Sequence, residues 1–312
     1  MWFSRVVRIG AAIAMVVAAL SFPSHRASAA GDPIVAAAGD IACDPADSGF
    51  NGGNGTTKRC HEKYTANQLT AGSFTAVLAL GDTQYNCGGA AAFNQSYDPT
   101  WGAVKSKTHP VLGNQEYNTS GGTDCGSGAS GYFGYFGSTA GPSGKGYYSF
   151  NEGAWHLIAL NANCSHVACR AGSAQEQWLK NDLATHPSIC ILAFWHQPRF
   201  SAGPTTLADY LPFWNDLYAA HADVVLNGHK HNYERLTKLN PSGSADAKGI
   251  REFVVGTGGE NHSISSTLYS GTQASDGTHF GILKLALHAT SYAWAFVSDD
   301  GKVLDSGSDN CV

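Results

Sequence analysis

The sequence predicts an α/β domain, and two kinds of pattern support this prediction. Five short apolar runs, each bounded by turn signals, are typical of buried strands. Helical patterns lie between several of them, and this alternation indicates an α/β arrangement in which ligands bind beyond the carboxyl ends of the strands. The five runs are PIVAAAGD, FTAVLALGDTQY, HPVLGNQEY, ICILAFWHQP and ADVVLNGHKH.

Two of the predicted helices have clear start signals. Ser173 and Glu176 form a capping-box pattern ahead of an apolar helix face that includes Leu179. Pro212 suits the first turn of a helix that carries Leu217. The later segments GYYSF, AWHLIALN and EFVVGTGG resemble strands joined by turns. We therefore expect the sheets to be mixed rather than wholly parallel.

The N-terminal segment resembles a secretory signal peptide. Two arginines precede an apolar run at residues 9–20, and an A-x-A site follows at residues 27–29. The alternative is an uncleaved anchor, but the run is shorter than a membrane span requires. We expect residues 1–29 to be a signal peptide and residues 30–312 to form a single catalytic domain that is secreted and, after removal of the signal, has no membrane association.

The charge of the chain argues against a nucleic-acid binder. Nineteen basic residues stand against 24 acidic ones. Three of the basic residues and none of the acidic ones lie in residues 1–29, so the remainder has a formal charge of −8. No basic run or stripe is present to neutralise a phosphate backbone. An anionic substrate would therefore depend on a few local cations or on metal ions.

All eight cysteines follow residue 29, and an even number in an exported chain suggests disulfides. The alternative is that some of the cysteines are buried free thiols. Two pairs are predicted from proximity in the sequence, and the other two by elimination. These pairs are Cys43 with Cys60 and Cys164 with Cys169, followed by Cys87 with Cys125 and Cys190 with Cys311.

The five strand ends deliver side chains that bind metals. Carboxylate and imidazole ligands suit zinc, iron and manganese better than calcium. Seven such side chains are too many for one tetrahedral site but suit two metals that share a bridging aspartate. Each residue alone also has a structural explanation as a turn, cap or core residue. The GHKH motif is the stronger signal, because His-x-His places two imidazoles on one face of an extended segment. The seven are Asp40, Asp82, Tyr85, Asn114, His196, His229 and His231.

In this order, the motifs GD, GDTQY, GN, HQP and GHKHNYER resemble the signature of the calcineurin-like metallophosphoesterases, specifically their purple acid phosphatase-like branch. The resemblance extends from about Ile34 to the C-terminus. It implies a four-layer α/β/β/α sandwich with two central mixed sheets. It also implies two metal sites: Asp40, Asp82, Tyr85 and His231 at one, and Asp82, Asn114, His196 and His229 at the other.

The same resemblance bears on metal identity. A phenol has a pKa of about 10 and ionises near neutrality only beside a strong Lewis acid. The resemblance therefore favours Fe(III) at the Tyr85 site, with Fe, Zn or Mn at the other site.

Three positions depart from the family pattern. Gln115 occupies the place of a family histidine, Gln197 gives WHQP where relatives have WHHP, and Lys230 gives GHKH where relatives have GHDH. A glutamine amide donates a hydrogen bond but supplies no proton. Lys230 would return positive charge. We therefore expect Gln115 and Lys230, together with the bridging Asp82, to affect catalysis.

The function expected from these residues is hydrolysis of small phosphoric esters. A phosphomonoesterase in which a metal-bound hydroxide attacks phosphorus is the leading hypothesis. A phosphodiesterase or nucleotide hydrolase on the same centre is the alternative within enzymes. A metal-binding protein with weakened hydrolysis is the alternative from another class, and the loss of the histidine at Gln115 favours it. A lectin-like or structural domain leaves the seven metal-binding side chains unexplained.

Overall fold

The computed structural model describes Met1, residues 31–203 and residues 208–312. Residues 2–29 of the predicted signal peptide lie outside the described part of the chain. Asp32–Val312 form one compact unit. Among the described residues, no helix combines the length and the apolar character that a membrane span requires.

The described part of the chain forms 13 strands, and the predicted strand segments are among them. The third predicted strand is shorter than its apolar run. The strand ends at Pro110, and the two residues that follow, Val111 and Leu112, are buried but irregular. The strands are β1 Ile34–Ala38, β2 Ala76–Ala79, β3 Thr108–Pro110, β4 Tyr148–Glu152, β5 Trp155–Ala159, β6 Cys190–Phe194, β7 Val224–Asn227, β8 Tyr233–Leu239, β9 Ile250–Val255, β10 Thr272–Asp276, β11 Gly281–Leu287, β12 Ser291–Ser298 and β13 Val303–Asn310.

The strands make two mixed sheets, as predicted. The six-stranded sheet has the order β13-β12-β11-β1-β2-β3, and β1, β2 and β3 are parallel. The seven-stranded sheet has the order β10-β8-β9-β7-β6-β5-β4, and β5, β6, β7 and β9 are parallel. Within each sheet, the carboxyl ends of the parallel strands therefore meet at one edge.

Within residues 31–203 and 208–312, five helices flank the sheets, and the predicted start signals are present. Ser173 is the N-cap of α4, and its Oγ accepts a hydrogen bond from the Glu176 amide at 3.3 Å. Pro212 lies in the first turn of α5. The glycine-rich composition of residues 126–146 is typical of a loop, yet this segment contains α3. The helices are α1 Glu62–Ala71, α2 Ala90–Ala92, α3 Ser130–Phe136, α4 Ala174–Thr185 and α5 Leu211–Ala219, and the short 3₁₀ segments include Trp101–Lys107 and Gln115–Tyr117.

Both faces of the four parallel strands of the seven-stranded sheet, β5, β6, β7 and β9, are buried, which explains their largely apolar sequences. In β6, Leu192 and Phe194 belong to the core that contains residues of both sheets, whereas Ile191 and Ala193 belong to a second core. That second core also holds side chains of α4 and α5, and α1 contributes Leu69 to the first core. The layers are therefore helix, sheet, sheet and helix, and the predicted α/β/β/α class is confirmed.

Four disulfides join the eight cysteines in the predicted pairs: Cys43–Cys60, Cys87–Cys125, Cys164–Cys169 and Cys190–Cys311. The last of these closes the longest loop, with a sequence separation of 121 residues. It attaches the C-terminal end of the chain to the beginning of β6.

Candidate metal centre

The predicted ligand residues follow parallel strands of both sheets. They lie beyond β1, β2 and β3 in one sheet and beyond β6 and β7 in the other. Since these loops converge, side chains that are far apart in the sequence come together in two groups, which share Asp82.

The first group forms around the phenol of Tyr85. Its Oη lies 2.9 Å from Asp40 Oδ1, 3.0 Å from Asp82 Oδ2 and 3.1 Å from His231 Nε2. His231 Nε2 is also 3.1 Å from Asp40 Oδ1. Three potential ligand atoms, from Asp40, Asp82 and His231, therefore lie within contact distance of the Tyr85 oxygen.

The second group forms around the imidazole of His196. Its Nε2 lies 3.1 Å from Asp82 Oδ2, the same oxygen that Tyr85 contacts. Asp82, His196 and His229 each offer a ligand atom, and these atoms lie within 4.8 Å of one another. The rings of His196 and His229 pack edge to face with their centroids 5.1 Å apart.

Two buried potential ligand atoms make no hydrogen bond within the described residues: His196 Nε2 of the second group, and Oδ1 of Asn114, which lies in the loop after β3. His196 Nδ1 lies 2.8 Å from the Leu80 carbonyl oxygen, and a neutral ring donating there has an unprotonated Nε2. This Nε2 approaches Asp82 without hydrogen-bond geometry. Buried polar atoms are normally paired, and these two are of the kinds that bind transition metals. The residues therefore fit a bound metal ion.

The backbone at the site is held in an uncommon conformation. Asp40, Asp82 and His229 have φ angles of 58°, 44° and 68°, which side chains other than glycine rarely adopt. Such residues concentrate at functional sites, where surrounding structure enforces them. Two glycines next to ligand residues are also required sterically. A Cβ at Gly113, which precedes Asn114, would collide with Asp82, and one at Gly228, which precedes His229, would lie 2.7 Å from Asp40 Oδ2.

The charges of the first group act on one another. Burial opposes ionisation of Asp40, but the nearby histidines, His231 most of all and then His196 and His229, outweigh it, and the pKa of Asp40 falls to about 2. Burial, with Asp40 and Asp82 adding to it, raises the pKa of the Tyr85 phenol well above its usual value. Ionisation of Tyr85 therefore requires a strong positive charge at this position.

Several supporting residues were missed by the sequence analysis. His231 Nδ1 contacts Asn261 Oδ1 at 2.5 Å and Glu260 Oε2 at 3.1 Å. These two residues follow β9, in the segment VGTGGEN. A strand ending in glycines and polar residues is the signal that identified the other site residues, and it would have identified these as well.

Glu116 was also missed, although it lies in the predicted loop VLGNQEY. Its carboxylate is buried and accepts hydrogen bonds from Thr83 N at 2.6 Å, Thr83 Oγ1 at 2.8 Å and Gln84 N at 3.3 Å. The other oxygen accepts one from Gly113 N at 2.7 Å. Glu116 therefore connects the loop that carries Asp82 to the loop that carries Asn114.

The three residues that depart from the family pattern are next to predicted metal ligands in the sequence. The Gln115 amide N–H donates to Asp82 Oδ1 at 2.8 Å, and its half-buried side chain accepts a hydrogen bond from Asn118. Gln197 is buried with its Oε1 unpaired among the described residues. Lys230 is half-buried and lines a separate cavity. The catalytic roles of Gln115 and Lys230 stay predictions.

A separate cluster of potential ligands lies on β5 and at α4, away from the two groups described above. It consists of His156, Asp182 and His186. Both ring nitrogens of His156 already have partners, Asn151 Oδ1 at 2.7 Å and Asp182 Oδ2 at 2.8 Å. His156 is therefore a satisfied residue of β5, with a hydrogen-bonding partner at each ring nitrogen.

Sequence comparisons identify purple acid phosphatases as relatives over part of the chain, although no family model matches. Purple acid phosphatase 15 of Arabidopsis thaliana is 31% identical over 140 residues, which are 40% of this chain and 24% of the relative. The acid phosphatase of Aspergillus ficuum is 29% identical over 160 residues, 42% of this chain and 26% of the relative. The chain thus spans about a quarter of the length of these curated relatives.

The fold is similar to solved structures over most of the chain. The purple acid phosphatase PPD1 from yellow lupin (Lupinus luteus) seeds aligns with a TM-score of 0.65 and 19% identity, covering 89% of this chain and 53% of that one. GAP50, the anchor in the inner membrane complex of Plasmodium, aligns with a TM-score of 0.61 and 16% identity, covering 90% of each chain. At these identities the likeness concerns the fold alone. Together with the sequence relatives, it supports the resemblance of the chain to the calcineurin-like metallophosphoesterases, in their purple acid phosphatase-like branch.

Proposed function

We propose that this chain is a metal-dependent phosphomonoesterase. The observation that carries the proposal is the position of Asp82 Oδ2, which lies 3.0 Å from Tyr85 Oη and 3.1 Å from His196 Nε2. One carboxylate oxygen is thus shared by two groups of potential ligands, an arrangement suited to two metal ions with a common bridge.

The proposed cofactors are two metal ions. Fe(III) is proposed at the Tyr85 site, because a tyrosine ligand favours a strong Lewis acid, with Fe, Zn or Mn at the other site. When bound, such ions supply Lewis acidity toward a phosphate and activate water for attack on phosphorus.

The residues of the chain then position the substrate and balance charge. Asn114 offers a neutral amide oxygen, which holds a metal without adding negative charge that would repel a phosphate. The Gln115 side chain has its oxygen occupied by Asn118, so its NH₂ group is available to donate to a phosphate oxygen. These contacts are electrostatic and positional, which is what phosphoryl transfer mainly requires of a protein.

The relatives support the reaction class, since they are named purple acid phosphatases and an acid phosphatase. The fold alone is weaker support, because GAP50 shares it and is described as an anchor. We further propose that residues 30–312 form the catalytic domain of a secreted protein. The four disulfides fit an oxidising compartment.

The proposal is tested by metal analysis and hydrolysis assays on the purified protein. We expect about two metals per chain, a visible absorption band from tyrosinate bound to Fe(III), and faster hydrolysis of p-nitrophenyl phosphate than of bis-p-nitrophenyl phosphate. Faster hydrolysis of the diester would instead identify a phosphodiesterase. Two bound metals without hydrolysis of either ester would identify a metal-binding protein.

A further inference from the structure

A polar cavity of about 350 Å³ lies beside the candidate metal centre. Its walls come from loops that follow β6, β7 and β9, three neighbouring parallel strands. Because His196 and His229 follow β6 and β7, the cavity lies at the same edge of the sheet as the metal ligands. The residues that matter here are Ala202, Lys230, Asn232, Ser263, Ser265 and Thr267.

The position of the cavity is tied to the metal centre by His231. Lys230 and Asn232 flank this histidine in the sequence. The amide N–H of Ser263 donates to the His231 carbonyl oxygen at 2.7 Å, and the same segment supplies Asn261 to the His231 ring. The cavity wall and the Tyr85 group therefore share the segments on both sides of His231.

Lys230 supplies positive charge to the cavity. Within residues 31–203 and 208–312, no side chain forms an ion pair or hydrogen bond with its ammonium group. Glu234 is the nearby carboxylate: burial raises its pKa, and the charge of Lys230 opposes that rise. Both Glu234 oxygens are already engaged, one by the Asn232 side-chain amide at 2.9 Å and the other by the Ala202 amide at 2.9 Å. Lys230 thus remains available to an anion that enters the cavity.

The other polar groups of the cavity suit an oxygen-rich ligand. Asn232 is buried, and its Oδ1 accepts no hydrogen bond from the described part of the chain. Ser263, Ser265 and Thr267 add hydroxyl groups. A hydroxylated or acidic ligand would find both donors and an acceptor here, whereas an apolar one would leave them unpaired.

We propose that this cavity is a subsite for a second anionic group on the leaving-group side of the substrate, a carboxylate or another phosphate, with Lys230 as its cationic partner. The proposal rests on the proposed phosphatase function, because it assumes that a phosphate occupies the neighbouring metal centre. If a second anion binds in this cavity, the preferred substrates are phosphate monoesters that carry a further negative charge.

The test measures the binding of phosphonates, which are not hydrolysed. Ethyl-, propyl- and butylphosphonate are compared by calorimetry with analogues of equal chain length that end in a carboxylate, and with the corresponding bisphosphonates. The metal-loaded wild type is compared with Lys230→Gln. The matched control is Lys248→Gln, which removes the same charge from an exposed lysine at the far end of the β8–β9 hairpin. Metal content is measured for each protein.

At one chain length, we expect the doubly anionic analogue to bind the wild type about 10-fold more tightly than the alkylphosphonate, as one charge-assisted hydrogen bond allows. Lys230→Gln should reduce this preference to less than about twofold with metals unchanged, whereas Lys248→Gln should keep it. Whether the carboxylate or the bisphosphonate binds more tightly identifies the second anion.

Two results would overturn the inference. One is the absence of a preference at every chain length, and the other is a preference that survives Lys230→Gln. Failure of the phosphatase proposal is distinguishable, because it appears as absence of p-nitrophenyl phosphate hydrolysis in the wild type.

Discussion

The side-chain oxygen of Gln115 accepts a hydrogen bond from Asn118 Nδ2 at 2.8 Å. This contact sets the orientation of the amide, because the oxygen is occupied and the NH₂ group is free to donate. Gln115 therefore keeps one of the two abilities of an imidazole, hydrogen-bond donation, and lacks the other, proton transfer.

The first prediction concerns Gln115→His. General acid help is typically worth ~10²–10⁴-fold and matters most for poor leaving groups. We expect kcat for alkyl phosphates to rise at least ~10-fold and kcat for p-nitrophenyl phosphate to change much less. Steady-state kinetics at equal metal content measure this. Equal rates before and after the substitution, with both metals bound, would show that Gln115 takes no part.

The second prediction concerns the shared carboxylate. Asp82→Ala should remove both metals and lower activity by more than the ~10–100-fold that loss of an outer-shell contact costs. Asn114→Ala and His229→Ala should lower metal content by about one ion per chain and leave the Tyr85 absorption band. Elemental analysis and visible spectra measure these changes. Full metal content in Asp82→Ala would contradict the bridging role.

The third prediction concerns Glu116, which connects the Asp82 and Asn114 loops. In Glu116→Gln an NH₂ group faces backbone N–H donors, which should cost about 1–3 kcal/mol of stability and weaken metal binding by ~10–100-fold. Asp223→Asn is the control. Asp223 also accepts backbone N–H groups, from Ile191 and Val312, but at the start of β6 away from the site.

Urea unfolding and metal titration separate the two effects of Glu116. Asp223→Asn should lose stability and keep its metal affinity. If Glu116→Gln behaves in the same way, Glu116 stabilises the fold without organising the metal ligands.

The fourth prediction is a pH dependence at Glu62 in α1. Its side chain is buried, Oε1 accepts only a 3.3 Å hydrogen bond from Ser96 Oγ, and Oε2 accepts none among the described residues. Burial raises the pKa of Glu62 from 4.5 to about 8. The folded state thus holds its proton more tightly than the unfolded state, so this stability is fully present below about pH 4.5 and is lost as the pH rises to 8.

Glu62→Gln removes this ionisation. We expect the variant to gain stability over the wild type as the pH rises from 5 to 8, by roughly 2–4 kcal/mol at the upper end. Urea unfolding at several pH values measures the difference, and the value at pH 5 is the internal control. A difference that does not change with pH would contradict the prediction.

The fifth prediction ranks two disulfides by the loops they close. The chain-entropy model gives about 5 kcal/mol for a loop the size of Cys190–Cys311 and about 2 kcal/mol for one the size of Cys164–Cys169. Their sequence separations are 121 and 5 residues. Paired replacement by serine should therefore destabilise the protein more at the first bridge, as measured by urea unfolding. The reverse order would show that native-state packing outweighs loop closure.

The sequence by itself determined the elements of the fold and the chemistry of the candidate site. Apolar runs bounded by glycine and polar residues are local signals, so β1, β2, β6 and β7 were predictable together with the potential ligands that follow them. Glycines before Asp40, Asp82, Asn114 and His229 belong to the same local pattern. Close spacing of cysteines likewise predicted two disulfides, and elimination predicted the others.

Only the tertiary structure decided which distant groups support those ligands. Glu260 and Asn261 reach His231 because β9 lies beside β7, and the Leu80 carbonyl reaches His196 because the two sheets pack face to face. The Lys230 cavity likewise depends on three neighbouring strands. Strand order and sheet packing are set by long-range burial of apolar surface, which no short stretch of sequence encodes. The types of the ligands were therefore local information, whereas their partners and the adjacent cavity were not.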